Sequence, residues 1–244
     1  MNAQSEFNKK HDLQIPKVGF IKCDHLEKVE DIQEYLQELS DNGNLKLFPC
    51  PISSYSKHEC IEEVSNGMHC WNIAHVNCIM IKFRDSAKER IVLSEEFLLS
   101  LEDIKKLHLN KKNPIVLFDV IENTNGCIYT KQRNNFLSKL IQCGSEAVVT
   151  NICALPRKLV NKFYCELHKN LSKSLSIHDA LLLARQSLLD KNPYAYLFWL
   201  YGNTSFPQRN KPLYDTKNEH NTSINTINVY GTAYLADNIN NMHK

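Results

Sequence analysis

Ile115-Val116-Leu117-Phe118 is an unbroken apolar run that leads into Asp119-Val120-Ile121-Glu122. A strand with one wet face alternates apolar and polar residues. A run this uniformly β-branched and aromatic suits a parallel strand covered on both faces. Parallel neighbours need long crossovers, so helices are expected on either side of it in the chain.

Working outward, strand and helix patterns alternate. Upstream lie Val18-Gly19-Phe20-Ile21, then Val29, Ile32, Leu36 and Leu39 at helical spacing with Gly43 as a stop, and a second strand Leu45-Lys46-Leu47-Phe48. A short helix over 56–65 and a third strand from His69 to about Val76 follow. Ile79–Phe83 and Arg90–Leu93 flank a polar turn and read as a hairpin excursion; Leu101, Ile104 and Leu107 mark another helix. Downstream come a helix around 134–143 stopped by Gly144, a strand over 147–153, and a helix over 156–171 with Leu159, Phe163, Leu167 and Leu171 on one face. Ser176-Ile177-His178-Asp179 opens a last helix as a capping box with Asp in place of Glu, Pro193 ends it, and Tyr196–Tyr201 forms an aromatic strand. Repeated β-α-β units imply an α/β fold with a mostly parallel sheet and helices on both faces.

The 244 residues carry 29 Lys+Arg against 27 Asp+Glu, a net charge of +2, with 43% hydrophobic and 23% charged residues. These are the proportions of a soluble globular protein. Near-neutral charge argues against a nucleic-acid coat. No apolar run reaches the roughly 18 residues of a membrane span, and residues 1–14 lack the apolar centre of a signal peptide, so a cytoplasmic protein is expected. The nine cysteines are scattered and odd in number, which reads as free thiols acting as small hydrophobes.

Several phrases, taken in order, resemble the CHAT family of caspase-like cysteine peptidases (clan CD). Leu93-Ser94, Leu99-Ser100-Leu101-Glu102-Asp103-Ile104 and Leu107-His108-Leu109 are similar to the segment between that family's catalytic histidine and cysteine. Cys143-Gly144-Ser145-Glu146-Ala147-Val148-Val149-Thr150 resembles its "AGARSVVAS" strand. Ala180–Leu189, Pro193 and Phe198-Trp199-Leu200-Tyr201-Gly202-Asn203 resemble its closing motif. The resemblance spans Val18 to Asn203, about three quarters of the chain, and implies a caspase-like three-layer α/β/α sandwich.

Family members use a Cys–His dyad, in which the imidazole moves the proton and the thiolate attacks a peptide carbonyl. The resemblance places His75 of Ala74-His75-Val76 at the histidine position, with Val76 in place of the following glycine. Counting back from Phe136-Leu137-Ser138-Lys139-Leu140, the nucleophile position falls on Val120; a slide of one residue gives Asp119 or Ile121, and none of the three is a thiol. Cys127, in the loop beyond at the same end of the sheet, is a candidate substitute. A rigid strand end positions a nucleophile better than a loop does.

Other constellations read as structure. His58, Cys60, His69, Cys70, His75 and Cys78 invite a zinc site, but on one strand His69 and His75 would stand about 20 Å apart, so no metal site is expected. The basic residues Arg157, Lys158, Lys162, Lys169 and Lys173 read as a solvated helix face. The cluster Tyr194, Tyr196, Phe198, Trp199 and Tyr201 reads as a core-edge strand. No glycine-rich phosphate loop is present, and no cofactor is expected.

The sequence thus predicts an N-terminal extension (1–16), a CHAT-like caspase-fold domain (17–206) and a loosely ordered C-terminal tail (207–244). The expected function is that of a catalytically inactive pseudo-peptidase module acting through protein partners, repeat-containing or signalling proteins in the setting the resemblance implies. The alternative is an active cysteine endopeptidase using His75 and a displaced cysteine such as Cys127; a metal-binding regulator is a weaker third reading. Membrane and nucleic-acid partners are not expected.

Overall fold

The computed structural model describes residues 15–23, 30–50, 57–82, 89–93, 97–122, 130–189 and 192–202. The expected tail (207–244), Cys127 and all but the last two residues of the expected extension (1–16) lie outside the described residues.

In chain order the elements are β1 (Lys17–Ile21), α1 (Glu30–Asp41), β2 (Lys46–Cys50), α2 (Lys57–Met68), β3 (Ile73–Lys82), β4 (Glu89–Val92), β5 (Leu98–Leu99), α3 (Leu101–Ile104), β6 (Ile115–Glu122), α4 (Thr130–Gln142), β7 (Ala147–Asn151), α5 (Arg157–Ser172), α6 (Ile177–Leu189) and β8 (Phe198–Gly202). The main sheet runs β2-β1-β3-β6-β7-β8. Its first five strands are parallel, and β8 closes the edge antiparallel to β7. The apolar run that begins at Ile115 is the centre of this sheet, paired with β3 on one side and β7 on the other.

Two cores sandwich the sheet. On one face Val76, Cys78, Val116, Phe118, Val120 and Val148 pack with residues of α2, α3 and α4, among them Val64, Ile104 and Phe136. On the other, Val18, Phe20, Leu117 and Val149 pack with residues of α1, α5 and α6, among them Leu36, Phe163 and Leu181. The protein is therefore a three-layer α/β/α sandwich with a mostly parallel sheet, as the sequence predicts. Among the described residues no helix is long and apolar enough to cross a membrane.

Local signals act as expected. Gly43 takes φ +71° just past α1, a left-handed stop that glycine adopts without strain. The Ser176 hydroxyl accepts from the Asp179 backbone N–H at 3.1 Å and donates to its carboxylate at 2.6 Å, forming the side-chain half of the cap. The region from His69 to Val92 differs from expectation. Residues 69–71 are spent on the exit of α2, where the N–H groups of Cys70 and Trp71 both donate to the Gly67 carbonyl. β3 begins only at Ile73 and runs through the first arm of the expected hairpin, pairing with β4 at Ile79–Lys82.

One packing feature fixes the start of β3. The Trp71 indole fills the space where side chains at Gly19 and Gly67 would stand: a Cβ would meet the ring at 2.0 Å and 2.2 Å respectively. The two missing side chains let α2 close on β1 with a buried tryptophan between them.

Candidate functional site

Successive strand residues point to opposite faces, so His75 and Asn77 of β3 share a face with Leu117 and Asp119 of β6. The register sets Asn77 directly beside Asp119, and His75 beside Leu117. That face lies under α5, which follows β7. On α5, Arg157, Tyr164 and His168 recur at i, i+7 and i+11, so they form one stripe along the helix.

Strand and helix meet in a buried polar chain. His168 Nε2 and His75 Nδ1 lie 2.9 Å apart. His75 Nε2 lies 4.0 Å from Asp119 Oδ2, within reach of its charge but too far for a hydrogen bond. Asn77 Nδ2 donates to Asp119 Oδ2 at 2.6 Å, and Arg157 Nη1 pairs with the same oxygen at 2.7 Å. The His75 ring is enclosed by Tyr164 at 4.7 Å, Phe20 at 5.2 Å and His168 at 5.1 Å between centroids. His75, Asn77, His168 and Asp119 are all buried.

The electrostatics follow from that burial. Desolvation holds His75 well below the ordinary imidazole range, and His168 and Arg157 push it the same way. Desolvation alone takes His168 down to about 3. Both rings are therefore neutral at pH 7, and their contact needs one donor and one acceptor. The Asp119 charge favours a proton on Nε2 of His75, which leaves Nδ1 to accept from the Nε2–H of His168. Burial raises the Asp119 carboxyl, while the Arg157 charge and the bonds from Arg157 and Asn77 pull it back.

His75 and Val120 are not brought together. His75 is the third residue of a ten-residue β3 rather than its end. Val120 pairs with Cys78, three rungs along, and both side chains enter the core on the opposite face. The residue the structure does bring to His75 is Asp119, one place before Val120. Arg157, expected on a solvated face, has a side chain only 19% exposed and is drawn in by the carboxylate. The last aromatic segment also divides: Tyr194 and Tyr196 sit exposed on a 3₁₀ turn, Pro193–Leu197, while Phe198 of β8 stacks on Phe163 of α5. Among the described residues no three His, Cys, Asp or Glu side chains are placed to hold a metal ion.

The stripe on α5 was readable in principle, since Arg157, Tyr164 and His168 share the period of the apolar face. Its partner Asp119 required the register of β3 against β6, which no local pattern gives.

No family model matches the chain, and no curated protein matches it. Among solved structures, the Drosophila initiator caspase Dronc aligns over 72% of this chain and 72% of its own, at 9% identity and a TM-score of 0.42. The Arg-specific cysteine proteinase gingipain R aligns over 74% of this chain and 44% of its own, at 8% identity and a TM-score of 0.48.

Chemically, the chain from His168 through His75 and Asp119 to Arg157 can hold and polarise protons. The position beside His75 is taken by a carboxylate already engaged by a guanidinium and an amide.

Proposed function

We propose that this protein is a caspase-fold, CHAT-like module that has lost cysteine-peptidase chemistry and acts by binding other proteins. The observation that carries this reading is Asp119: it stands against His75, paired with Arg157 and Asn77, while Val120 and Cys78 face away. The former proton-transfer site has become an internal brace between sheet and helix. Leu182 and Leu183 of α6 and the neighbouring Tyr194 and Tyr196 expose 39–53% of their surface, which suits a chain that works through contacts. Protein partners, of the repeat-containing or signalling kind the resemblance implies, and a cytoplasmic setting belong to the same proposal.

The test is incubation of the pure protein with a broad thiol-directed peptidase probe and a peptide library. We expect no turnover and no His75-dependent labelling. Cleavage abolished by both His75→Ala and Cys127→Ser would overturn the reading in favour of an active endopeptidase.

A further inference from the structure

We propose that the His75–His168 pair is an acid-sensitive latch between β3 and α5: a proton taken up at the pair releases α5 from the sheet. The inference rests on geometry and is independent of the function proposed above. Two fully buried imidazoles meet at 2.9 Å through one hydrogen bond, and a neutral pair satisfies it with one donor and one acceptor. A further proton makes one ring an imidazolium.

Among the described residues, the surroundings leave that charge without an anion of its own. β6 offers Asp119, already paired with Arg157. β1 offers Phe20 and β3 offers Asn77, both uncharged. From α5 come Arg157, a second cation, and the Tyr164 ring. On α6, packed along α5, Asp179 is bonded to Ser176 and Arg185 donates to the Phe198 carbonyl. Protonation would thus bury two cations around one carboxylate. Because α5 carries both Arg157 and His168, movement of this one helix returns both to water.

The direction with pH follows from the depressed histidines. Released, each ring accepts a proton near the ordinary imidazole value of about 6.5; packed, His168 resists until about 3 and His75 is also held well below its ordinary value. The latch is fully closed above about 6.5 and weakens as pH falls, by up to about tenfold per pH unit for each histidine. Asp119, raised by burial, works in the opposite direction, and its share is common to any comparison that leaves it in place.

The experiment is amide hydrogen exchange at pH 7 and pH 5, corrected for the chemical rate, on the wild-type chain and on His168→Gln, whose amide keeps one hydrogen bond but does not titrate. We expect protection of α5 to fall about 20-fold or more between the two pH values, beyond any fall in β6, and His168→Gln to remove about 20-fold of that loss. Unchanged α5 protection, an equal loss in α5 and β6, or an equal loss in the variant would each overturn the latch. Should the variant fail to fold, the ring carbon and proton resonances of the wild-type chain decide it: both rings must stay neutral to pH 5 in the packed state, and titration of either near 6.5 would overturn the proposal.

Discussion

Arg157, the first residue of α5, places Nη1 2.7 Å from Oδ2 of Asp119 inside β6. The pair ties the helix entry to the centre of the sheet, and both charged groups are buried: Asp119 entirely, and Arg157 at its guanidinium nitrogens, so that the partial exposure of its side chain lies elsewhere along it. Removing the cation strands a buried carboxylate; replacing the anion by its isosteric amide still leaves an acceptor oxygen beside the buried guanidinium. Arg157→Leu should therefore cost about 3 kcal/mol, near the low end for breaking a buried pair, and Asp119→Asn clearly less. Urea denaturation of the two variants checks the ranking, and an equal or reversed order would show that the pair adds little to stability.

The placement of Val120 makes a second prediction. Its side chain lies in the core between the sheet and α2, α3 and α4, on the far side from His75. Val120→Cys is nearly volume-conserving and should cost less than about 1.5 kcal/mol. The new thiol would stand across the sheet from the His75 imidazole, so a small electrophile should label it slowly, at a rate unmoved by His75→Ala. Rapid labelling that depends on His75 would mean that the two residues share a crevice after all.

The capping box at α3 offers a local check. The Ser100 hydroxyl accepts from the Asp103 N–H at 3.3 Å, and the Asp103 carboxylate accepts from the Ser100 N–H at 3.0 Å and from Lys106 Nζ at 3.1 Å. Asp103 is buried, and its carboxylate also accepts from the Ser100 hydroxyl at 2.8 Å, so its loss takes an acceptor from both the N–H and the hydroxyl of Ser100. Ser100→Ala should cost about 1 kcal/mol by thermal or chemical denaturation. Asp103→Ala should cost more, since it also frees the Ser100 N–H. Equal effects would show that the bonds of the buried Asp103 carboxylate are worth no more than the Ser100 cap.

What the sequence disclosed and what it hid divide along a physical line. The run from Ile115 disclosed a two-sided strand because burial on both faces leaves no polar alternation to blur the reading. Gly43, Gly144 and Ser176 disclosed helix ends because caps are chemistry of a few neighbouring residues. The full extent of β3 is not legible locally, because its continuation past Cys78 is accompanied by pairing with β4, a contact between segments. The polar chain was hidden for the same reason. His75 stands out by its place in a strand, yet Asp119 reads as one polar residue in an apolar run, and Arg157 as one cation among the lysines of its helix. Their meeting is decided by strand register and by the rotation of α5 on the sheet.

Gly67 supplies the sharpest packing prediction because intrinsic preference and tertiary contact oppose each other there. Within a helix, Gly→Ala ordinarily gains up to about 1 kcal/mol. At Gly67 the added methyl would stand 2.2 Å from Cζ2 of Trp71, and at Gly19 one would stand 2.0 Å from Cδ2. The indole is 4% exposed and held between α2 and β1, so it cannot step aside without opening the interface. Both substitutions should therefore destabilise by about 2 kcal/mol or more, the range of overpacked cores. Trp71→Leu in either background should recover part of the loss, because the smaller side chain leaves room for the methyl. Urea unfolding of the single and double variants measures this coupling directly. A Gly67→Ala protein as stable as the parent, or a double variant that shows simple additivity, would mean that Trp71 does not sit between these two glycines.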